Sequence, residues 1–201
     1  SDMDEIPPYD YKIFQDQTFF RPYNGSVVRA ADIELSRGCP YTCSYCVETV
    51  IQKYYGFNET GGNGVLKKAS KYLRNKTAKR IFSEISSLYN DLKVTYFRCQ
   101  DTNFLSINQT VLNELADLIH DSKMPIFLYI ETRPETINER SIELLKKLKV
   151  DGVGMGLELA SESFRKSSLN RFPSQEKIIR AFKLLRAAGI KRTTYNIFFI
   201  F

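Results

Sequence analysis

Three cysteines within eight residues form the part of this sequence best suited to chemistry. Cys39, Cys43 and Cys46 follow a short run of strand-forming residues, and Gly38 and Pro40 place the first cysteine in a tight loop. We expect such a loop to bring three thiolates toward one point. Clustered thiolates suit zinc, Cu(I) or iron and sulfide, and structural zinc takes four protein ligands. Three cysteines therefore leave one metal position open.

The competing interpretation of the cysteine loop is a zinc module without enzymatic activity. Cys99 or the single histidine, His120, would then supply the fourth ligand. Zinc modules commonly carry two separated pairs of ligands, whereas this chain has one group of three. The spacing therefore favours an iron–sulfur centre, with zinc as the alternative.

The spacing Cys-x3-Cys-x2-Cys, with Tyr45 directly before the last cysteine, resembles the signature of the radical S-adenosylmethionine (radical SAM) superfamily. The resemblance implies a [4Fe-4S] cluster in which Cys39, Cys43 and Cys46 bind three irons, and the fourth iron binds the amino and carboxylate groups of S-adenosylmethionine. It also implies an electron donor such as a flavodoxin or ferredoxin. One electron would cleave the sulfonium to methionine and a 5′-deoxyadenosyl radical, which takes hydrogen from a small-molecule or otherwise unknown substrate.

The rest of the chain alternates between strand-like and helix-like patterns. The predicted strands cover residues 31–35, 93–98, 126–131, 151–159 and 192–201. The predicted helices cover residues 81–89, 111–119, 136–148 and 178–185, the third opening with a capping box from Thr136 to Glu139. This alternation predicts an α/β fold with parallel strands. It is similar to the partial (β/α)6 TIM-like barrel of radical SAM enzymes, with the last strand missing from this chain.

Two segments are expected from this pattern. Residues 1–28 show little regular pattern and are predicted to be a linker or lead-in, and residues 29–201 are predicted to form the core barrel, incomplete at its carboxyl terminus. In α/β barrels the active site lies at the carboxyl ends of the strands, where the cysteine loop would also lie.

The fourth predicted strand carries candidate ligand-binding residues. Because side chains alternate across a strand, the three glycines at alternate positions from 152 to 156 and Glu158 would share the barrel lumen and leave room for a ligand. Glu158 and Ser161 resemble family residues that contact S-adenosylmethionine. The alternative is that Glu158 caps the next helix or pairs with Arg165.

Charged residues at the carboxyl ends of two other predicted strands are candidates for binding methionine. Glu131 and Arg133 would hold its amino and carboxylate groups by charge-assisted hydrogen bonds, or would pair with each other. Asp101 stands where the family often has Gly-Gly-Glu and would hold the amino group. The alternative is that Asp101 only forms a turn.

Two polar residues complete the candidate set. Tyr45 takes a position that approaches adenine in the family. Asn196 is the one amide in the last predicted strand and is expected to touch ribose. Arg171 lies in a segment that also resembles the family, and the alternative is a solvated helix flank.

Composition and charge bear on partners and location. The net charge is +6, and much of it lies between Lys67 and Arg80. We expect a solvated helix surface there, and the alternative is a nucleic-acid surface, as in a transfer-RNA methylthiotransferase. Such enzymes usually carry further cysteines for a second cluster, and beyond the cysteine loop this chain has only Cys99.

No apolar run is long enough to span a bilayer, so we expect no membrane association and a cytoplasmic location. The proline- and tyrosine-containing lead-in, Ile6 to Tyr11, and the segments around Asp101 and Glu158 resemble the cobalamin-linked branch of the superfamily. Cobalamin would be bound there by a domain that is not present in this chain.

Overall fold

The computed structural model describes residues 2–190 and 192–196, which form a sheet covered by helices on one face. The strands are β1 (Phe20–Tyr23), β2 (Ser26–Ile33), β3 (Ser36–Arg37), β4 (Arg74–Asn75), β5 (Tyr96–Cys99), β6 (Phe127–Thr132), β7 (Val150–Gly156) and β8 (Arg192–Asn196). The α-helices are α1 (Val47–Tyr54), α2 (Ala69–Tyr72), α3 (Ala78–Leu92), α4 (Gln109–Ser122), α5 (Glu139–Lys147), α6 (Glu162–Ser167) and α7 (Gln175–Ala187).

The main sheet confirms the predicted α/β class. Its order is β1-β2-β5-β6-β7-β8, and every neighbouring pair from β2 onward is parallel. The five predicted parallel strands are therefore present, although residues 197–201 of the last one lie outside the described residues. The sheet is open over the described range, as in a partial barrel. No helix in this part of the chain has the length and apolar character needed to cross a membrane.

The lead-in contains a strand that the sequence analysis missed. Strand β1 pairs antiparallel with β2 through a two-residue turn, in which Asn24 and Gly25 have φ values of 51° and 75°. Two positive φ values match the tight hairpin turn that suits the twist of a sheet, and Asn-Gly is its usual sequence. The expectation of little regular structure was therefore wrong for residues 20–28.

The two faces of the sheet differ in character. On one face, Phe97, Leu128, Ile130, Val153 and Met155 are buried in a core that they share with α3, α4, α5 and α7. The opposite face carries the polar and aromatic residues of alternate positions, among them Tyr96, Arg98, Tyr129 and Glu131. The strand alternation predicted from the sequence is confirmed, and the face away from the helices is the candidate lumen.

Charged residues attach the lead-in to the start of α3. Asp4 accepts hydrogen bonds from the Thr77 backbone N–H at 2.9 Å and the Thr77 hydroxyl at 2.6 Å, and Arg80 donates to the Asp4 carbonyl at 3.1 Å. Lys76 is buried and pairs with Glu84 at 2.7 Å. The basic run is therefore not one solvated helix surface, because it extends through α2 and β4 into α3, and Lys76 lies in the interior.

Helix α5 begins later than its predicted capping box. Asn138 is the N-cap, and its side chain accepts a hydrogen bond from the Ser141 backbone N–H, while the Ser141 hydroxyl accepts one from the Asn138 backbone N–H. The predicted cap, Thr136, instead donates its hydroxyl to the Arg133 carbonyl. The position was wrong because both threonine and asparagine are good caps, and the turn at Pro134 sets where the helix can begin.

Candidate cofactor-binding site

The cysteine loop joins β3 to α1 and is fixed by the segment that precedes α2. Gly38 has a φ of 95°, and a Cβ atom at this position would lie 3.0 Å from the ring of Tyr72. The Leu66 backbone N–H donates to the Pro40 carbonyl at 2.8 Å, and the Thr42 N–H donates to the Gly64 carbonyl at 2.9 Å. The backbone of residues 64–66 therefore fixes the cysteine loop.

Helix α1 fixes the first cysteine through two side chains that the sequence analysis missed. Glu48 accepts from the Cys39 backbone N–H at 3.1 Å and from the Tyr72 hydroxyl at 2.6 Å. Gln52 is buried and donates to the carbonyls of Cys39 and Tyr41 at 2.8 and 2.9 Å. Both residues lie one helical turn apart on the inner face of α1, which was the available signal for their role.

The three cysteines line one cavity of about 270 Å³. The other walls come from the carboxyl ends of β6 and β7 and from the loop after β5, as expected for an α/β barrel. The lining residues are Cys39, Cys43, Tyr45, Cys46, Thr102, Glu131, Thr132, Arg133, Gly154, Met155, Gly156, Glu158 and Arg171. The structure thus brings the cysteines together with Tyr45, Glu131, Arg133 and Glu158 of the predicted set.

The glycines of β7 make room for side chains of the protein itself. A Cβ atom at Gly152 would lie 2.3 Å from the Tyr23 hydroxyl, and one at Gly154 would lie 2.5 Å from the Tyr129 hydroxyl. A Cβ atom at Gly156 would lie 2.2 Å from Glu158 Oε1. The glycines do face the lumen as predicted, but the space beside them is filled by two tyrosines and a carboxylate.

Arg133 makes its closest contacts with the cysteine loop. Its Nη1 lies 3.0 Å from Cys43 Sγ, and its guanidinium lies 3.8 Å from the centre of the Tyr41 ring. Its Nε donates to Glu135 at 2.6 Å. Glu131 pairs instead with Arg98 at 2.9 Å, so the alternative in which Glu131 and Arg133 pair with each other is wrong.

Arg171 joins the site from a position far along the chain. Its Nη1 lies 3.0 Å from the Tyr45 hydroxyl, 3.3 Å from Glu158 Oε1 and 4.0 Å from Cys43 Sγ, and its Nη2 donates to the Gly156 carbonyl at 2.6 Å. Arg171 is buried, so the solvated-flank alternative is wrong. Its resemblance to a family segment was the only signal in the sequence.

Glu158 is buried and faces the cavity from a left-handed backbone position, with a φ of 66°. Its ion-pair partner is Arg171; Arg165 donates to the carbonyls of Leu159 and Ala160, so the pairing with Arg165 is wrong. The Oε2 atom of Glu158 is buried and has no hydrogen-bond partner among the described residues. A buried acceptor without a partner is costly, which suits an atom that receives a ligand donor.

Asp101 and Ser161 lie outside the cavity lining. Asp101 is buried and accepts hydrogen bonds from the backbone N–H groups of Leu35 and Ser36 at 3.3 and 2.6 Å and from the Ser36 hydroxyl at 2.5 Å. It therefore fixes the chain just before the cysteine loop. Ser161 is exposed and caps α6 by accepting from the Phe164 N–H at 3.3 Å.

The backbone of Asn196 pairs with Gly156, which places it beside the cavity wall. Its side chain lies outside the described residues, so its predicted contact with ribose stays a prediction.

Burial raises the pKa of two of the loop cysteines and of Tyr45. It raises the pKa of Cys39 to about 12 against a backbone hydrogen bond that lowers it, and it raises the pKa of Cys46. Burial also raises the pKa of Tyr45, against the neighbouring Arg171. Both thiols are therefore protonated at neutral pH in the metal-free chain, and metal binding must release their protons.

The donor set fits an iron–sulfur cluster better than a single ion. Within the described part of the chain, no three His, Cys, Asp or Glu side chains are arranged to hold one metal ion. In a [4Fe-4S] cluster each cysteine binds a different iron, so the sulfurs need to share a cavity rather than a single point. The proposed fourth zinc ligands lie elsewhere, because Cys99 is part of the hydrophobic core and His120 is exposed beside Asp121.

Comparison with known proteins decides the family. A family model of the radical SAM superfamily matches residues 33–201. The chain belongs to the radical SAM superfamily. It is also 25% identical over 192 residues to an anaerobic magnesium-protoporphyrin IX monomethyl ester cyclase of Rubrivivax gelatinosus, and 26% identical over 194 residues to the enzyme of the same name of Cereibacter sphaeroides. Each alignment covers 94% of this chain but only 30% and 28% of the relative, so the chain spans less than a third of their length.

Solved structures confirm the fold of this radical SAM chain. The methyltransferase TsrM from Kitasatospora setae, solved with tryptophan and an S-adenosylmethionine analogue, matches with a TM-score of 0.64 at 20% identity, over 84% of this chain and 30% of TsrM. The cobalamin-dependent radical enzyme OxsB matches with a TM-score of 0.59 at 16% identity, over 84% of this chain and 23% of OxsB. Both structural neighbours are radical S-adenosylmethionine enzymes.

Proposed function

We propose that this chain holds a [4Fe-4S] cluster on Cys39, Cys43 and Cys46 and reductively cleaves S-adenosylmethionine. The observation that carries the proposal is the single cavity that all three cysteines share with Glu158 and Arg171. When bound and reduced by a flavodoxin or ferredoxin, the cluster supplies the electron that breaks the sulfonium bond. The 5′-deoxyadenosyl radical released by this cleavage would take a hydrogen atom from the substrate.

The charged residues of the cavity suit the two ends of an amino acid. Glu158 offers a buried carboxylate oxygen, and Glu131 places a second, half-exposed carboxylate on the same wall. These carboxylates would accept hydrogen bonds from the methionine amino group, and Arg171 would donate to its carboxylate. All three guanidinium nitrogens of Arg133 lie at Glu135 or Cys43, whereas Nε of Arg171 is buried and has no hydrogen-bond partner among the described residues. We therefore assign the methionine contact predicted for Arg133 to Arg171.

Residues around this cavity would hold the rest of the cofactor. Tyr45 would lie beside adenine, because its hydroxyl is anchored by Arg171 while its ring stays partly exposed. Asn196 would reach ribose from the end of β8. Asp101 would act indirectly by fixing the chain that precedes the cysteines, and the exposed Ser161 would contact S-adenosylmethionine only at the cavity rim.

The test is anaerobic reconstitution followed by a cleavage assay. We expect a brown protein with about four irons per chain, which releases 5′-deoxyadenosine and methionine in equal amounts when dithionite and S-adenosylmethionine are added. Cys43→Ala should lose cluster and cleavage together, whereas Cys99→Ala should keep both. A colourless protein that binds one zinc ion and requires Cys99 would refute the proposal.

The cobalamin-linked branch is the finer part of the proposal. It is supported by the fold shared with TsrM and OxsB, whose structures contain cobalamin, and by the Asp101 and Glu158 segments. The whole gene product, purified anaerobically, is expected to carry a corrinoid with its characteristic visible spectrum. A whole protein that binds S-adenosylmethionine and no corrinoid would place the chain in another branch.

A further inference from the structure

The three cysteine sulfurs lie in unequal surroundings. Cys43 is buried between two guanidinium groups, with Arg133 Nη1 at 3.0 Å and Arg171 Nη1 at 4.0 Å from its sulfur. Cys46 is partly exposed and stands at the N-cap of α1. Of the three cysteines, Cys43 is therefore the one that contacts the arginines.

Other contacts of the Arg133 side chain hold it in place beside Cys43. The side chain is 6% exposed, its guanidinium stacks on the Tyr41 ring, and its Nε donates to Glu135. These contacts fix the plane of the guanidinium and leave Nη1 directed at Cys43. Arginine suits this role because its planar fork can serve a carboxylate and a second acceptor together.

Hydrogen bonds to cysteine sulfur stabilise the reduced, more negative form of an iron–sulfur cluster and raise its reduction potential. We propose that Arg133, assisted by Arg171, raises the reduction potential of the cluster through its contact with the Cys43 sulfur. This inference rests on the proposed function, because it requires a cluster on the three cysteines. It assigns Arg133 to the metal centre rather than to methionine.

The experiment measures midpoint potentials of reconstituted variants by anaerobic redox titration followed by electron paramagnetic resonance. Arg133→Gln removes the charge, and we expect at least a tenfold fall in the reduced-to-oxidised ratio at a fixed potential, which is about 59 mV for one electron. Arg133→Lys keeps a cation but has one nitrogen for both Glu135 and Cys43. The reduction potential of this variant should therefore lie between those of the wild type and Arg133→Gln.

Arg165→Gln is the matched control. Arg165 is 1% exposed and lies near the same site, but its guanidinium donates to the carbonyls of Leu159, Ala160 and Pro173. Its loss should lower stability and leave the potential unchanged. A shift in this variant as large as that of Arg133→Gln would overturn the inference, because burial alone would then explain it.

Iron content separates this inference from the proposed function. A wild-type chain that takes up no cluster refutes the proposed function. A wild-type potential in an Arg133→Gln chain with a full cluster refutes only the role of Arg133. If Arg133→Gln holds too little iron to titrate, Arg133→Lys decides: a more negative potential supports the inference, and an unchanged one overturns it.

Discussion

Asp101 links the stability of this fold to pH through the chain that precedes the cysteine loop. Its carboxylate is 2% exposed and accepts three hydrogen bonds from Leu35 and Ser36. Burial raises the pKa of Asp101 from 3.8 to about 6, against the hydrogen bonds from Ser36 and Leu35, which lower it. The folded chain therefore holds this proton at pH values where the unfolded chain has released it.

The sign of the pH dependence follows from this difference. A raised pKa in the folded state means that the contribution of Asp101 to stability is greatest in acid and is lost as the pH rises through about 6. With about 1.4 kcal/mol per pH unit, its contribution to the free energy of unfolding falls by about 2 kcal/mol between pH 4 and pH 7. Asp101→Asn cannot titrate and should lose this dependence.

The assay is urea unfolding of the metal-free wild type and Asp101→Asn at several pH values from 4 to 7. We expect the difference in free energy of unfolding between them to change by about 2 kcal/mol across this range, with the wild type favoured in acid. Asp117→Asn removes an exposed carboxylate paired with Lys147. The free energy of unfolding of this variant should depend on pH in the same way as that of the wild type. Parallel curves for wild type and Asp101→Asn would refute the reasoning.

Three further substitutions test other parts of the structure. Gly156→Ala would place a Cβ atom 2.2 Å from Glu158 Oε1 and should weaken S-adenosylmethionine binding, measured by equilibrium dialysis, while the iron content stays normal. An unchanged affinity would show that Glu158 does not contact S-adenosylmethionine. Cys99→Ala should lower the free energy of unfolding by about 1 kcal/mol and keep all iron, and loss of iron would make Cys99 a ligand. Gly25→Ala should cost about 1 kcal/mol because its φ is 75°, measured by urea unfolding against Gly62→Ala, which has open space and an ordinary φ; equal costs would contradict the turn assignment.

Much of the fold could be predicted because strands and helices are determined by patterns of neighbouring residues. The alternation of Leu128 and Ile130 with Tyr129 and Glu131 assigns two faces to β6, and the observed burial follows that assignment. The cysteine spacing likewise depends on a few adjacent residues. Asn24-Gly25 is a strong local signal for a hairpin, and the strand β1 could have been predicted from it. The pattern of β1 itself is weak, because this strand has only four residues and includes a proline.

The surroundings of the cysteines could not be predicted in the same way. Arg133 and Arg171 reach Cys43 across 90 and 128 residues of chain, and no local pattern encodes such a distance. Each arginine also needs its own carboxylate, because burying an unpaired charge is costly. Glu135 pairs with Arg133 and Glu158 with Arg171.

The charge balance of the site is therefore shared by residues from separate segments. If the cysteine loop binds metal as proposed, it would become anionic when metal replaces its protons, and the two guanidinium groups beside Cys43 would offset that charge. Their own carboxylates would cancel this effect if they were equally close to the sulfur. Glu135 contacts Arg133 through Nε and Nη2, while the third nitrogen, Nη1, faces Cys43. The guanidinium therefore lies between Glu135 and the Cys43 sulfur. The orientation of the pair, rather than its net charge, would then set the electrostatic environment of the cluster.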